Sequence, residues 1–367
     1  MIWLWIGFLA LVFIFLALDL GVFNRHAHVI SVKEALRWTG IWIAVSLVFN
    51  VVIYFIYENH WFNMTGYIKV KDPTTGEMGK QVATGFQMAI QFFTGYIVEK
   101  SLSMDNIFVI AIIFAHFKVP PQFQHRVLFW GILGALIMRG GMIAIGTAMI
   151  KNFSWMIYVF GGLLLVTAVR MLTAGDAEPD PANNWLTRFA KKFYPVADDF
   201  DGQKFFTKIP VPPKPGEPAG GEPKMQTAMT RLMLVLLIVE STDVLFAVDS
   251  IPAIFAITDD PFIVFTSNVF AILGLRSLYF ALAGMMGKFK YLKPSLVFIL
   301  AFVGVKMIIS HHYPLPTWVS LSVILGILTV GVVASITANR RLEREMELKA
   351  LESTSPTLAT PEEKDAV

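Results

Sequence analysis

The sequence predicts an all-α membrane protein of about nine transmembrane helices, six of them arranged as two inverted three-helix repeats. Three observations carry that prediction. The chain of 367 residues is 55% hydrophobic and only 16% charged, with mean hydropathy +0.61, too apolar for a domain whose whole surface faces water. Nine runs are long enough to span a bilayer. Two of those runs, around Glu99 and Glu240, carry related acidic motifs.

A hydrocarbon core about 30 Å thick needs about 20 apolar residues per helix, and residues 2–22, 38–57, 84–116, 126–149, 154–173, 229–257, 262–283, 294–311 and 316–337 meet that requirement. The first run lacks a basic leader and a small-residue cleavage site, which reads as a retained helix. Lys and Arg concentrate in 23–37, 117–125, 174–228, 284–293 and the tail after Asn339, whereas 58–83, 150–153, 258–261 and 312–315 hold few. That alternation puts the N-terminus outside and the C-terminus in the cytoplasm, the arrangement of a multi-pass protein of the bacterial cytoplasmic membrane.

The chain divides into a two-helix N-terminal segment (1–83), a first three-helix repeat (84–173), a cytoplasmic linker (174–228), a second repeat (229–311), a final transmembrane helix (312–338) and a partly disordered cytoplasmic tail (339–367). Within the linker, Trp185, Leu186, Phe189 and Phe193 recur at helical spacing beside Arg188, Lys191 and Lys192, the pattern of a short interfacial helix. The Pro- and Gly-rich stretch from Ile209 to Lys224 reads as extended.

The repeat is read by setting VEKSLSMDNIFVIAIIF, from Val98, against VESTDVLFAVDSIPAIFAIT, from Val239. Downstream, Gly131-Ile132-Leu133-Gly134 leads to Arg139, as Ala271-Ile272-Leu273-Gly274 leads to Arg276, and the third members end in Arg170 and Lys306. Three crossings separate the copies, so their orientations are opposite, the plan of transporters whose sites lie mid-membrane. The third run would be about 50 Å long as one helix with its polar cluster in the middle, and the sixth contains Pro252; a break is expected in each.

An ionisable side chain at mid-membrane costs about 2.5–3.5 kcal/mol on insertion scales and is paired, hydrated or functional. Five acids fall in these two runs: Glu99, Asp105, Glu240, Asp243 and Asp249, with Asn106 and Ser250 beside them. On unbroken helices Glu99 groups with Ser103 and Asn106, and Glu240 with Asp243 and Ser250, whereas Asp105 and Asp249 point elsewhere. Breaks would let both sets converge. Carboxylate, amide and hydroxyl oxygen suit a hard divalent cation, Mn²⁺, Ca²⁺ or Mg²⁺, and the absence of cysteine removes thiolate sites and disulfides. The competing reading is structural: Lys100, Arg139, Arg276 and Lys306 neutralise the acids and fix packing. Asp19 either caps a helix or guards the inner entrance, His311 and His312 read as an interfacial pair, and the 17 methionines are dispersed as packing residues. The net charge of +3 gives no reason to expect nucleic acid as a partner.

These motifs resemble the TerC family of integral membrane proteins, which includes Alx-type manganese exporters and is grouped with the LysE transporter superfamily. The resemblance is carried by LALDLGVFNR and the basic stretch to Arg37, the two acidic motifs, LFWGILGALIMR, GQKFF at Gly202 to Phe206, and SNVFAILGLRSLYF. It implies efflux of Mn²⁺ with the acidic motifs as the ion path, and a partnership with Mn²⁺-dependent enzymes outside the cytoplasm. Matching the family motifs, Glu99, Asp105, Asn106, Glu240, Asp243, Asp249 and Ser250 are the expected metal ligands. The expected function is secondary transport, not enzymatic catalysis, with Mn²⁺ as cargo, no resident cofactor, and exchange against protons. The lipid bilayer is the obligate partner and a homo-oligomer a further expectation. An exporter of amino acids or other small metabolites and a non-transporting membrane scaffold are the alternatives.

Overall fold

The computed structural model describes residues 2–18, 31–71, 78–173, 185–197, 199–210, 225–283, 291–310 and 313–354. Among them every predicted apolar run is helical: α1 (Ile2–Leu18), α2 (Val32–Glu58), α3 (Gly85–His116), α4 (Pro121–Asn152), α5 (Met156–Thr173), α7 (Arg231–Phe255), the pair α8 (Pro261–Leu273) and α9 (Leu275–Ala283), α10 (Leu292–Ile309) and α11 (Thr317–Thr354). α2, α4, α5, α10 and α11 are each long and apolar enough to cross a membrane, and α8 with α9, bent by 40°, forms a sixth such unit. The segment with the pattern of an interfacial helix contains the short α6 (Trp185–Lys191). Asp19, the linker residues 211–224, His311, His312 and the tail beyond Thr354 lie outside the described residues.

Two antiparallel hairpins were not expected from the sequence: β1 (Tyr67–Lys71) with β2 (Met78–Val82), and β3 (Phe206–Pro210) with β4 (Met225–Met229). β3 reaches into the stretch that reads as extended only at Ile209 and Pro210, and it is paired. Each hairpin delivers the chain to a threonine that caps the next helix. Thr84 accepts from the Gln87 amide at 3.2 Å while the Gln87 side chain accepts from the Thr84 amide at 3.0 Å, a reciprocal capping box. Thr230 accepts from the Met233 amide at 3.3 Å and donates to the Lys204 carbonyl at 2.8 Å.

The expected breaks in the acidic runs are absent. α3 is one helix of 32 residues: Glu99 and Asn106 bond partners on neighbouring helices, and the Thr94 and Ser101 hydroxyls donate to carbonyls of α3 itself one turn back. α7 runs through Pro252, which lies one turn from its end and forfeits one hydrogen bond; Ile251, Pro252, Ala253, Ile254 and Phe255 are all buried, and that packing holds the turn. The break falls instead at Gly274, between α8 and α9, where Lys100 Nζ donates to the Ala271 carbonyl at 3.1 Å.

The core is aromatic. Phe49 stacks on Phe270 with centroids 4.6 Å apart, and Phe8, Phe92 and Phe262 gather around them. α3 packs on α8, α4 on α7, and α5 on α10. The α5–α10 crossing is close because Gly161 and Gly304 meet: a Cβ built on Gly304 would lie 3.0 Å from the Gly161 carbonyl oxygen. Leu47, Val48, Val51, Val166, Val330 and Val333 face outward and are exposed, as lipid-facing residues must be.

Candidate ion site

Arg139 of α4 is the centre of the buried charge. Its Nε donates to Asp243 Oδ2 at 3.1 Å and its Nη2 to Asp243 Oδ1 at 2.9 Å, while Nη1 bonds Glu99 Oε1 and reaches Ser250 Oγ at 3.4 Å. Asn106 Nδ2 also donates to Asp243 Oδ1, at 2.9 Å. The guanidinium thus ties α3 to α7 through a carboxylate from each, in the planar two-bond geometry that arginine alone provides.

Beside this knot is a cavity of about 120 Å³. From α3 it is lined by Glu99, Leu102, Ser103 and Asn106, spaced i, i+3, i+4, i+7 on one face, with Asp105 on the flank; from α7 by Phe246, Asp249 and Ser250. Unbroken helices therefore bring three of the five acids, Glu99, Asp105 and Asp249, to the border of one space. α5 contributes Thr167, whose hydroxyl donates to Asp249 Oδ1 at 2.8 Å. The charges of Lys293 and Arg170 act on Asp105 and Asp249 respectively.

Several oxygens here have no hydrogen-bond partner although buried: Glu99 Oε2, Ser103 Oγ and Asn106 Oδ1. Buried acceptors are costly when unpaired. Glu99, Asp105, Asp243 and Asp249 against Arg139 leave the region formally at −3 before Lys293 and Arg170 are counted. Among the described residues no three acidic or histidine side chains stand close enough together to hold a metal, and Arg139 pairs with both Glu99 and Asp243.

Glu240 is elsewhere. Its carboxyl lies against Gly134 of α4, where a Cβ would overlap it, and its buried Oε2 is unpartnered. Of the other bases, Lys100 donates to the Ala271 carbonyl, Arg276 shares a hydrogen with His125 Nε2 at 2.8 Å, and Lys306 lines a different cavity. Thr167 was missed in the sequence; a lone threonine inside an apolar run carries no signal beyond its helical position.

Bundled apolar helices enclosing a charged, polar-lined cavity define a multi-pass integral membrane protein with a buried polar site. The chain belongs to the TerC family: the family described as "Integral membrane protein TerC family" matches residues 84–343. An uncharacterised membrane protein of Myxococcus xanthus is 46% identical over 337 residues, covering 92% of this chain and 93% of its own. The proteins named "Putative membrane-bound redox modulator Alx" of Salmonella typhi and Escherichia coli K12 are 40% and 41% identical, covering 94% and 93% of this chain and 97% of their own. No solved structure matches the chain.

Proposed function

We propose that the protein is a secondary transporter that exports Mn²⁺ across the bacterial cytoplasmic membrane, through the cavity between α3 and α7. The observation that carries this reading is the set of unpartnered buried oxygens, Glu99 Oε2, Ser103 Oγ and Asn106 Oδ1, around a cavity that Asp105 and Asp249 also line. Oxygen donors with excess negative charge fit a hard divalent ion as cargo. Asp105 and Asp249 would be the primary ligands, with Glu99, Asn106 and Ser250 closing around the ion. Asp243 would take part when Arg139 releases it, and Glu240 would act from its separate position against α4.

Nine crossings, with the N-terminus outside, and inverted repeats over 84–173 and 229–311 belong to the same proposal. Supporting it, both repeats open with a hairpin and a capping threonine, and the helices pair reciprocally, α3 on α8 as α7 on α4. Rocking of one repeat against the other would expose the cavity alternately, with protons entering as the metal leaves. A redox role of the kind named for the Alx relatives could not use thiols of this chain, which has no cysteine. The scaffold alternative needs every acid locked to a base, whereas Asp249 hydrogen-bonds Thr167 and the buried Glu240 Oε2 has no partner among the described residues.

The test is cellular Mn²⁺ content and growth under Mn²⁺ stress in an exporter-deficient host, comparing wild type with Asp105→Asn and Asp249→Asn. Wild type should lower cellular Mn²⁺ and both variants should fail at equal expression. Full rescue by both variants would remove the cavity as the ion path. In vesicles, export indifferent to an imposed pH gradient would remove the proton coupling.

A further inference from the structure

A larger cavity, about 390 Å³, lies where the N-terminal end of α3 meets the C-terminal end of α7, away from the central site. Its volume falls in the ~300–1,000 Å³ range typical of sites for small organic ligands. The first hairpin forms one wall, and Lys69 of β1 is paired there with Asp259, Nζ to Oδ2 at 2.6 Å.

Three polar side chains that line this cavity are more than nine-tenths buried, Gln91 at 4%, Lys306 at 5% and Thr258 at 6% exposure, and the Thr258 hydroxyl already accepts from the Asp260 amide at 3.2 Å. Gln91 forms no hydrogen bond with any described residue, which leaves its Nε2–H donors for a ligand oxygen, and Lys306 has no ion pair or hydrogen bond with any described residue. A buried ammonium without a counter-charge is costly, and it repels a metal ion. An anion entering from solution would remove that cost. Lys69 is already neutralised by Asp259, so among the described residues Lys306 is the one positive charge lining the cavity without a counter-charge. Phe255, Met307 and Trp318 make the rest of the wall largely apolar.

We propose that this cavity binds a small monocarboxylate, with its carboxylate on the Lys306 ammonium and the Gln91 amide and its apolar body against Phe255, Met307 and Trp318. One charge selects a monoanion over a phosphate, and the apolar wall selects an organic acid over chloride. The inference is independent of Mn²⁺ export.

The test is calorimetric titration of the full-length protein, in phosphatidylcholine nanodiscs free of Mn²⁺, with butyrate and benzoate, against butanol and inorganic phosphate. One or both carboxylates should bind saturably at one per chain. Lys306→Met should weaken binding at least tenfold and Gln91→Leu severalfold, with Lys306→Arg retaining it. Wild-type protein that binds neither carboxylate saturably overturns the proposal without reference to any variant. So does phosphate or butanol binding as tightly as butyrate, or well-folded Lys306→Met or Gln91→Leu protein binding as wild type does.

Discussion

Arg139 and Asp243 meet through two parallel hydrogen bonds of 3.1 and 2.9 Å, so that α4 and α7 are joined by a fork that cannot slide without breaking both. Glu99 completes the arrangement from α3. Removing the guanidinium strands two buried carboxylates. Arg139→Met should therefore destabilise the purified protein by about 3–5 kcal/mol, read as a lowered thermal melt in detergent. Adding Glu99→Gln and Asp243→Asn to the same variant should recover most of the loss, because the uncompensated charges go with it. Arg139→Lys should fall between, since an ammonium cannot make the fork.

Thr167 orients Asp249 with a single hydroxyl. Thr167→Val should leave the fold intact and weaken the carboxylate's placement by about 1 kcal/mol, roughly a fivefold loss of apparent Mn²⁺ affinity. Export measured against Mn²⁺ concentration should shift to higher concentration with little change in maximal rate.

Glycine at 134 makes room for the Glu240 carboxyl. Gly134→Ala should cost about 1–3 kcal/mol as overpacking. The double variant Gly134→Ala, Glu240→Ala should melt closer to wild type than Gly134→Ala alone, since the overlapping group is gone.

Pro252 does not break α7. Pro252→Ala restores an amide donor for the Val248 carbonyl without reshaping the helix, and should leave thermal stability equal to or above that of wild type. A lower melting temperature would show that the buried ring's packing matters more than the lost hydrogen bond.

The apolar runs were legible because a helix in lipid needs a long, almost uninterrupted hydrophobic stretch, and each such run is helical. The acidic face of α3 was legible by the same periodicity: Glu99, Ser103 and Asn106 share it. What the sequence misplaced was the break. Pro252 and the polar cluster of α3 both look like interruptions locally, yet Pro252 sits in a buried last turn and Glu99 and Asn106 find partners on other helices; Arg139, 40 residues from Glu99, is the partner that decides. Gly274 looked ordinary because the ammonium that serves its bend comes from Lys100, 171 residues from the carbonyl it bonds. The hairpins went unread because Met78–Val82 and Met225–Met229 are too short and too polar to show strand alternation.

The bend at Gly274 has a mechanical consequence. Its freed carbonyl and the Lys100 ammonium are each other's solution to burial, so straightening α8 and α9 into one rod would abandon a cation in the interior. The bond joins α3 of the first proposed repeat to the elbow of the second, so any rocking of one repeat against the other must break it or find the Lys100 ammonium another acceptor.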